Sequence, residues 1–380
     1  MSSSVTPTDG GAPLERETPA DDGGLPRRAA PRTGRGIVAV VAGLATLALG
    51  AVIWAVPVPY LVELPGPVYN TLGTANGKDV ITIEGHETYA ARGELNLTTV
   101  YVEGGPNSDV SLLGVIRAWL DPSQQVAPVD SVYPRGATRQ QVSQENAAEM
   151  QSSQDNAVAA ALKELSMPFT QQIKVASLVD NSASAGKLES GDTIVSVAGQ
   201  RVDSLSTIQK LVTASQGKPV EVAFQRNGAD RTVSITPRDA GQGRYLLGFT
   251  VSYAFTFPIR VDFALDKVGG PSAGLMFALG IVDKLTPGDL TNGKQIAGTG
   301  TITPDGSVGE IGGIVQKMKG ARSHGVTLFL APAGNCAEVL GHIPDGLAVV
   351  RADTLVSART SVEAYAQGAD PASLPQCSKG

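Results

Sequence analysis

Between Gly36 and Val62 the sequence carries no charged side chain at all. The heart of this run, Ile37 to Val56, reads IVAVVAGLATLALGAVIWAV. Wound as a helix at about 1.5 Å per residue, it just crosses a hydrocarbon layer of about 30 Å. Trp54 and Tyr60 fall where interfacial aromatic residues sit, and Pro57 and Pro59 end the helix. A cleaved signal peptide is the competing reading. Its apolar region would run to only about 7–15 residues, and the sequence VPVPYLVELPG that follows lacks a small-x-small cleavage site. A permanent membrane helix over 37–56 is therefore expected. Arg27, Arg28, Arg32 and Arg35 precede it, and Glu63 is the first charge beyond it. The positive-inside rule then describes a single-pass cell-membrane protein, with its N-terminus cytoplasmic and residues 57–380 extracytoplasmic.

Residues 1–36 are rich in Ser, Thr, Pro, Gly and Asp and are expected to form a disordered tail, since they have little apolar surface to bury. The rest is long enough for two or three domains. Its 44 glycines and 24 prolines point to many turns and short strands. The net charge of −6 gives no basic footprint for nucleic acid. The three histidines, His86, His324 and His342, form no HExxH, and the two cysteines form no CxxC, so no metal is expected. No GxxxxGK[ST] occurs, so neither ATP nor any other cofactor is expected to bind this chain. An oxidising compartment permits a disulfide between Cys336 and Cys377, and the pair is expected to be joined.

Residues 79–103 hold two strand-like runs, DVITIEG and ELNLTTVYV. SLLGVIRAWL (111–120) has apolar residues at helical spacing, and 139–165 read as one or two helices with a polar face. From about Ile173 the texture changes to strand, turn, short helix, Gly-Asp turn, strand, helix, strand, hairpin and strand. Ser184-Ala185-Gly186, then Leu188, Gly191-Asp192 and Ile194-Val195 strongly resemble a PDZ domain, placed over 170–238. Leu205 to Leu211 supplies the helix beside the peptide groove. PDZ domains bind peptides by adding a strand to a sheet edge. No GLGF stretch is evident, so the kind of peptide stays open.

Beyond FTFPIRVDFAL (255–265), read as a strand, comes DKVGGPSAGLMFALGIVDKL. Gly270 and Pro271 make a loop, and Ser272 stands at the mouth of an apolar helix. A hydroxyl there is placed as a nucleophile, with helix-start N–H groups ready for an oxyanion. An ordinary N-cap serine is the equal alternative on this segment alone. A nucleophile also needs a base. No histidine sits in a triad motif such as GxSxG, so a Ser-Lys pair is the variant that remains.

GPSAG (270–274), TGTIT (299–303) and then GEIGGIVQK (309–317), with the lysine forty-five residues after the serine, together resemble the proteolytic domain of Lon proteases. The resemblance implies Ser272 as nucleophile, Lys317 as general base and Thr299 orienting the lysine. Lys319 shares nearly the same helical stripe and is left as a surface residue. Many Lon enzymes carry an acid three residues before the serine; here Gly269 stands in that place and Asp266 lies further upstream. The opening strands and helix of the same domain match residues 57–165, so the expected fold is α+β. A Lon-type domain (57–165 and 243–355) would accept an inserted PDZ-like module, with 356–380 as a tail. Membrane helix, PDZ and Lon-type domain together resemble the PDZ-containing Lon-like proteases of bacteria. The resemblance implies an ATP-independent serine endopeptidase that acts on protein or peptide substrates. It also implies a homo-oligomer, a hexamer by resemblance, since Lon-type domains assemble into rings. The alternative is a proteolytically inactive, membrane-tethered PDZ adaptor.

Overall fold

The computed structural model describes residues 33–106, 108–265 and 268–378. The expected tail lies outside the described residues as far as residue 32, and so does Asp266. Residues 33–36, read as tail, instead begin α1 (Thr33–Ala55). The last proline, Pro31, precedes them, so nothing stops the helix from extending a turn upstream. Gly36–Trp54 is long and apolar enough to cross a membrane, with a mean hydropathy of 2.5. Residues 56–380 form a separate unit.

Along that unit come β1 (Tyr60–Asn70), β2 (Ile81–Glu84), β3 (Glu94–Gly104), α2 (Leu112–Leu120), β4 (Gln125–Pro128), α3 (Val129–Val132) and α4 (Arg139–Glu164). Next are β5 (Thr170–Leu178), β6 (Thr193–Val197), α5 (Leu205–Ala214), β7 (Val220–Arg226), β8 (Ala229–Ile235) and β9 (Phe249–Thr256). The chain ends with β10 (Arg260–Phe263), α6 (Gly274–Leu285), β11 (Gln295–Gly298), β12 (Thr301–Ile302), β13 (Val308–Gly309), α7 (Ile314–Ser323), β14 (Leu328–Pro332), α8 (Cys336–Val339), β15 (Ala348–Ala352) and α9 (Leu355–Ala366).

One mixed sheet takes strands from both ends of the unit, in the order β15-β14-β11-β3-β1-β4. Its β11 runs parallel to β3 and β14, while β1 is antiparallel to β3 and β4. The LFLAP run of β14 is buried throughout because both faces of the sheet are covered. Leu328 and Leu330 join the core with Leu279 of α6 and Val362 of α9. Phe329 and Ala331 join Ile314, Met318 and Ala321 of α7 on the other face. Cys336 opens α8 and is disulfide-bonded to Cys377.

A second, antiparallel sheet is built only from the middle of the chain, in the order β8-β7-β6-β5-β9. Its core includes Ile173, Leu188, Ile194, Val222 and Ile235. The Gly191-Asp192 turn has a visible reason. The buried Asp192 carboxylate accepts from Arg226 Nε and Nη2, each at 2.7 Å, and from the Glu189 amide at 2.8 Å. The guanidinium holds that carboxyl below its usual range.

Two local expectations come out differently. Residues 255–265 are two strands, not one, because Pro258 lacks an N–H and breaks the ladder. Upstream of the break, β9 pairs with β5 from Phe249↔Leu178 to Thr256↔Thr170, so 249–256 belong to the second sheet. Downstream, β10 pairs with β2. Residues 139–164 are one continuous helix, opened by a capping box between Thr138 and Gln141.

Candidate active site

Lys317 sits one turn into α7, whose N-cap is Gly313 at φ 68°. A side chain there would be strained, and a Cβ would meet Val100 Cγ1 at 2.8 Å and Glu63 Oε2 at 3.2 Å. This close approach lays the start of α7 against β1 and β3. The same turn buries Lys317, which is only 2% exposed.

Ser272 comes from the loop before α6. The helix begins one residue later than the sequence suggests, with Ala273 as N-cap and no side-chain capping bond. The Ser272 hydroxyl is therefore not spent on a cap. Helix α4 holds the loop: the Gly270 amide donates to the Asn146 carbonyl at 3.1 Å, and Ser153 Oγ donates to the Pro271 carbonyl at 2.9 Å. From the other side the Gly300 amide donates to the Ser272 carbonyl at 2.9 Å.

These elements bring three of the expected residues together. Lys317 Nζ lies 2.7 Å from Ser272 Oγ and 3.0 Å from Thr299 Oγ1. Thr299 Oγ1 in turn donates to the Ser272 carbonyl at 3.0 Å. Burial pushes the Lys317 ammonium down to about 7, opposed in part by the Glu63 carboxylate. Glu63 itself is raised, by burial first and by Glu338 second. An amine with so low an affinity for its proton, in contact with a hydroxyl, is equipped to take that hydroxyl's proton.

Lys319 points elsewhere and donates to the Pro122 carbonyl; it is half-buried, not the solvated residue expected. The histidine rings each contact a local backbone carbonyl: His86 that of Glu87, His324 that of Gly320 and His342 that of Glu338. No group of three or more metal-ligating side chains occurs among the described residues. A cavity of about 750 Å³ opens beside Ser272 and Lys317. Apolar Val68, Leu97, Met150 and Val268 are among its walls.

Glu63, Asn146 and Ser153 were not singled out from sequence. Ser153 had a signal, a small polar residue on the buried stripe of α4. Glu63 had none, because only the packing of α7 against β1 brings it to Lys317.

Residues 262–362 match the Lon protease (S16) C-terminal proteolytic domain, and residues 141–236 match the PDZ domain. The chain is 28% identical to Lon protease 2 of Bacillus subtilis over 170 residues, which is 42% of this chain and 30% of that protein. It is 32% identical to the Lon protease of Mesomycoplasma hyopneumoniae over 130 residues, 30% of this chain and 15% of that one. It is also 31% identical to the zinc metalloprotease RasP of Geobacillus kaustophilus over 58 residues, 15% of this chain and 14% of that one. The chain thus spans less than a third of the length of the curated relatives it matches. By the two domains it carries, it is a PDZ-containing, Lon-like protein.

Proposed function

We propose that this chain is a membrane-anchored serine endopeptidase in which Ser272 is the nucleophile and Lys317 the general base. The observation that carries this reading is the buried Lys317 amine, 2.7 Å from Ser272 Oγ with its pKa brought down to about 7. In its neutral form Lys317 accepts the Ser272 proton as Oγ attacks the scissile carbonyl carbon. Thr299 keeps the amine aimed by accepting one of its N–H groups. The Gly274 and Leu275 amides already donate to the Pro271 and Gly300 carbonyls. The oxyanion therefore falls to the amides of Ser272 and Ala273 at the mouth of α6. The Lys317 ammonium then protonates the leaving amine, which departs and leaves an acyl-Ser272. A water that gives its proton to Lys317 attacks this ester, releases the carboxylic product and restores Ser272.

In this reading α1 crosses the cell membrane once, with the arginine-flanked N-terminus cytoplasmic and residues 57–380 outside. The chain has no phosphate-binding loop and works without ATP. The PDZ sheet recruits or gates protein substrates. One contact supports gating: Ser206 Oγ at the start of α5 donates to Asp305 Oδ2 at 3.4 Å, in the turn between β12 and β13 that follows Thr299. Assembly into a homo-oligomer, a hexamer by analogy with Lon rings, completes the proposal.

The test is cleavage of an unfolded protein by the purified full chain in detergent without nucleotide. Cleavage by the wild type and none by a folded Ser272→Ala variant is expected. A wild type that is folded, assembled and inert would favour the adaptor reading instead.

A further inference from the structure

Helix α2 leaves an apolar face uncovered. Leu112, Ile116, Trp119 and Leu120 are 37%, 42%, 83% and 78% exposed. Their spacing of four, three and one residues places them on a single stripe about 100° wide. The opposite side of the helix is satisfied: Ala118 packs with Val62 and Val110. A soluble surface seldom shows so concentrated an apolar stripe without a partner for it.

The position of α2 in the chain says what that partner is. Its N-cap, Ser111, forms a β-bridge with Pro57, and the Val58 amide donates to the Val110 carbonyl at 3.0 Å. Pro57 lies only two residues beyond Ala55, the last residue of α1. Two residues of chain reach no more than about 8 Å. The first turn of α2 is therefore tied to the segment that leaves the apolar span. A nine-residue helix is about 14 Å long, and one laid along the membrane surface from that tether would keep the whole stripe at the headgroup layer.

We propose that α2 is a second membrane contact, which lays Leu112, Ile116, Trp119 and Leu120 into the interfacial layer of a phospholipid bilayer. So short a helix would bind lipid weakly if it were free. Tethering turns the contact into an intramolecular event at high effective concentration. Trp119 has the amphipathic ring that favours the interface, and the exposed Arg117 at the edge of the stripe faces headgroup phosphates. The inference rests on the reading of α1 as a membrane span.

The chain has two tryptophans, Trp54 in α1 and Trp119 in α2, so two variants separate the claims. The full chain is reconstituted into phosphatidylcholine vesicles with lipids brominated near the headgroup end of the acyl chain. Trp119→Phe reports on Trp54, and Trp54→Phe reports on Trp119. Expected is loss of emission from both residues, with the Trp119 emission shifted to the blue. Adding Ile116→Glu should restore Trp119 emission and leave Trp54 quenched. Quenching of Trp54 alone, with Trp119 emitting as if in water, overturns the inference and leaves the anchor standing. A blue-shifted Trp119 that bromine does not quench, and whose shift grows with protein-to-lipid ratio, also overturns it, in favour of a second copy on the stripe. No quenching of Trp54 defeats the anchor, and the inference with it.

Discussion

The Lys317 amine is held where water cannot stabilise its charge, and this has a consequence for stability as well as for chemistry. An unfolded lysine keeps its proton up to about pH 10.4. The folded one releases it near pH 7. Between these values the unfolded state binds the extra proton, so this group's contribution to stability rises with pH. Below about pH 7 both states are protonated and the folded state bears the full penalty, on the order of 4–5 kcal/mol. Lys317→Met should therefore be more stable than the wild type at pH 6 by a few kcal/mol. The gap should close as pH rises toward 10, as thermal melts of both proteins across that range would reveal. A gap that is constant with pH would mean that Lys317 is not buried as an amine. In peptide hydrolysis, Lys317→Arg should be inactive because a guanidinium keeps its proton. Thr299→Ala should lose less, since it removes orientation and leaves the proton acceptor in place. Lys319→Ala should retain activity, because its amine contacts the Pro122 carbonyl and not Ser272. Steady-state rates of the three variants at one pH decide this ranking.

At the scale of single elements, the site depends on how α7 and α6 begin. Gly313→Ala places a methyl in a left-handed conformation against Val100 Cγ1. It should cost about 1–2 kcal/mol from the backbone alone, with more from the clash. Because Lys317 is only one turn further on, activity should fall alongside the melting temperature; wild-type activity in a destabilised variant would separate α7 placement from catalysis. Much of this level was legible in the sequence. The GGPSAG loop, the apolar run of α6 and the period of α2 all announced themselves by local spacing. The N-cap position of Ala273 was not legible, since Ser272 is the better capping residue and only the tertiary bonds to Asn146, Ser153 and Gly300 draw it out of that role. The break at Pro258 was visible as a residue, yet the apolar texture on both sides hid it. Residues 249–256 fall within the expected Lon-type domain, and their pairing with β5, some seventy residues upstream, lies beyond any local pattern.

For the whole molecule, one sheet is closed by segments from both ends of residues 56–380, and the second sheet grows from the stretch between them. Family likeness pointed to Ser272, Lys317 and Thr299; no periodicity would have paired residues so far apart. Glu63, which biases Lys317 from strand β1, lay beyond both kinds of reasoning. The C-terminus is tied back by the Cys336–Cys377 bond across a separation of 41 residues. A Cys336→Ala/Cys377→Ala variant should lose about 2–4 kcal/mol in denaturant unfolding. A change below measurement error would show that the tail is held by packing alone. The proposed chemistry rests on a lysine of lowered pKa that activates Ser272. Its most direct measurement is the rate at which a fluorophosphonate phosphonylates the full chain, with loss of fluoride, as a function of pH, with the modified residue located by peptide mass. One adduct is expected, on Ser272, formed at a rate that climbs through about pH 7 and lost in Lys317→Met. An adduct elsewhere, or labelling of Ser272 in Lys317→Met at the wild-type rate, would contradict it.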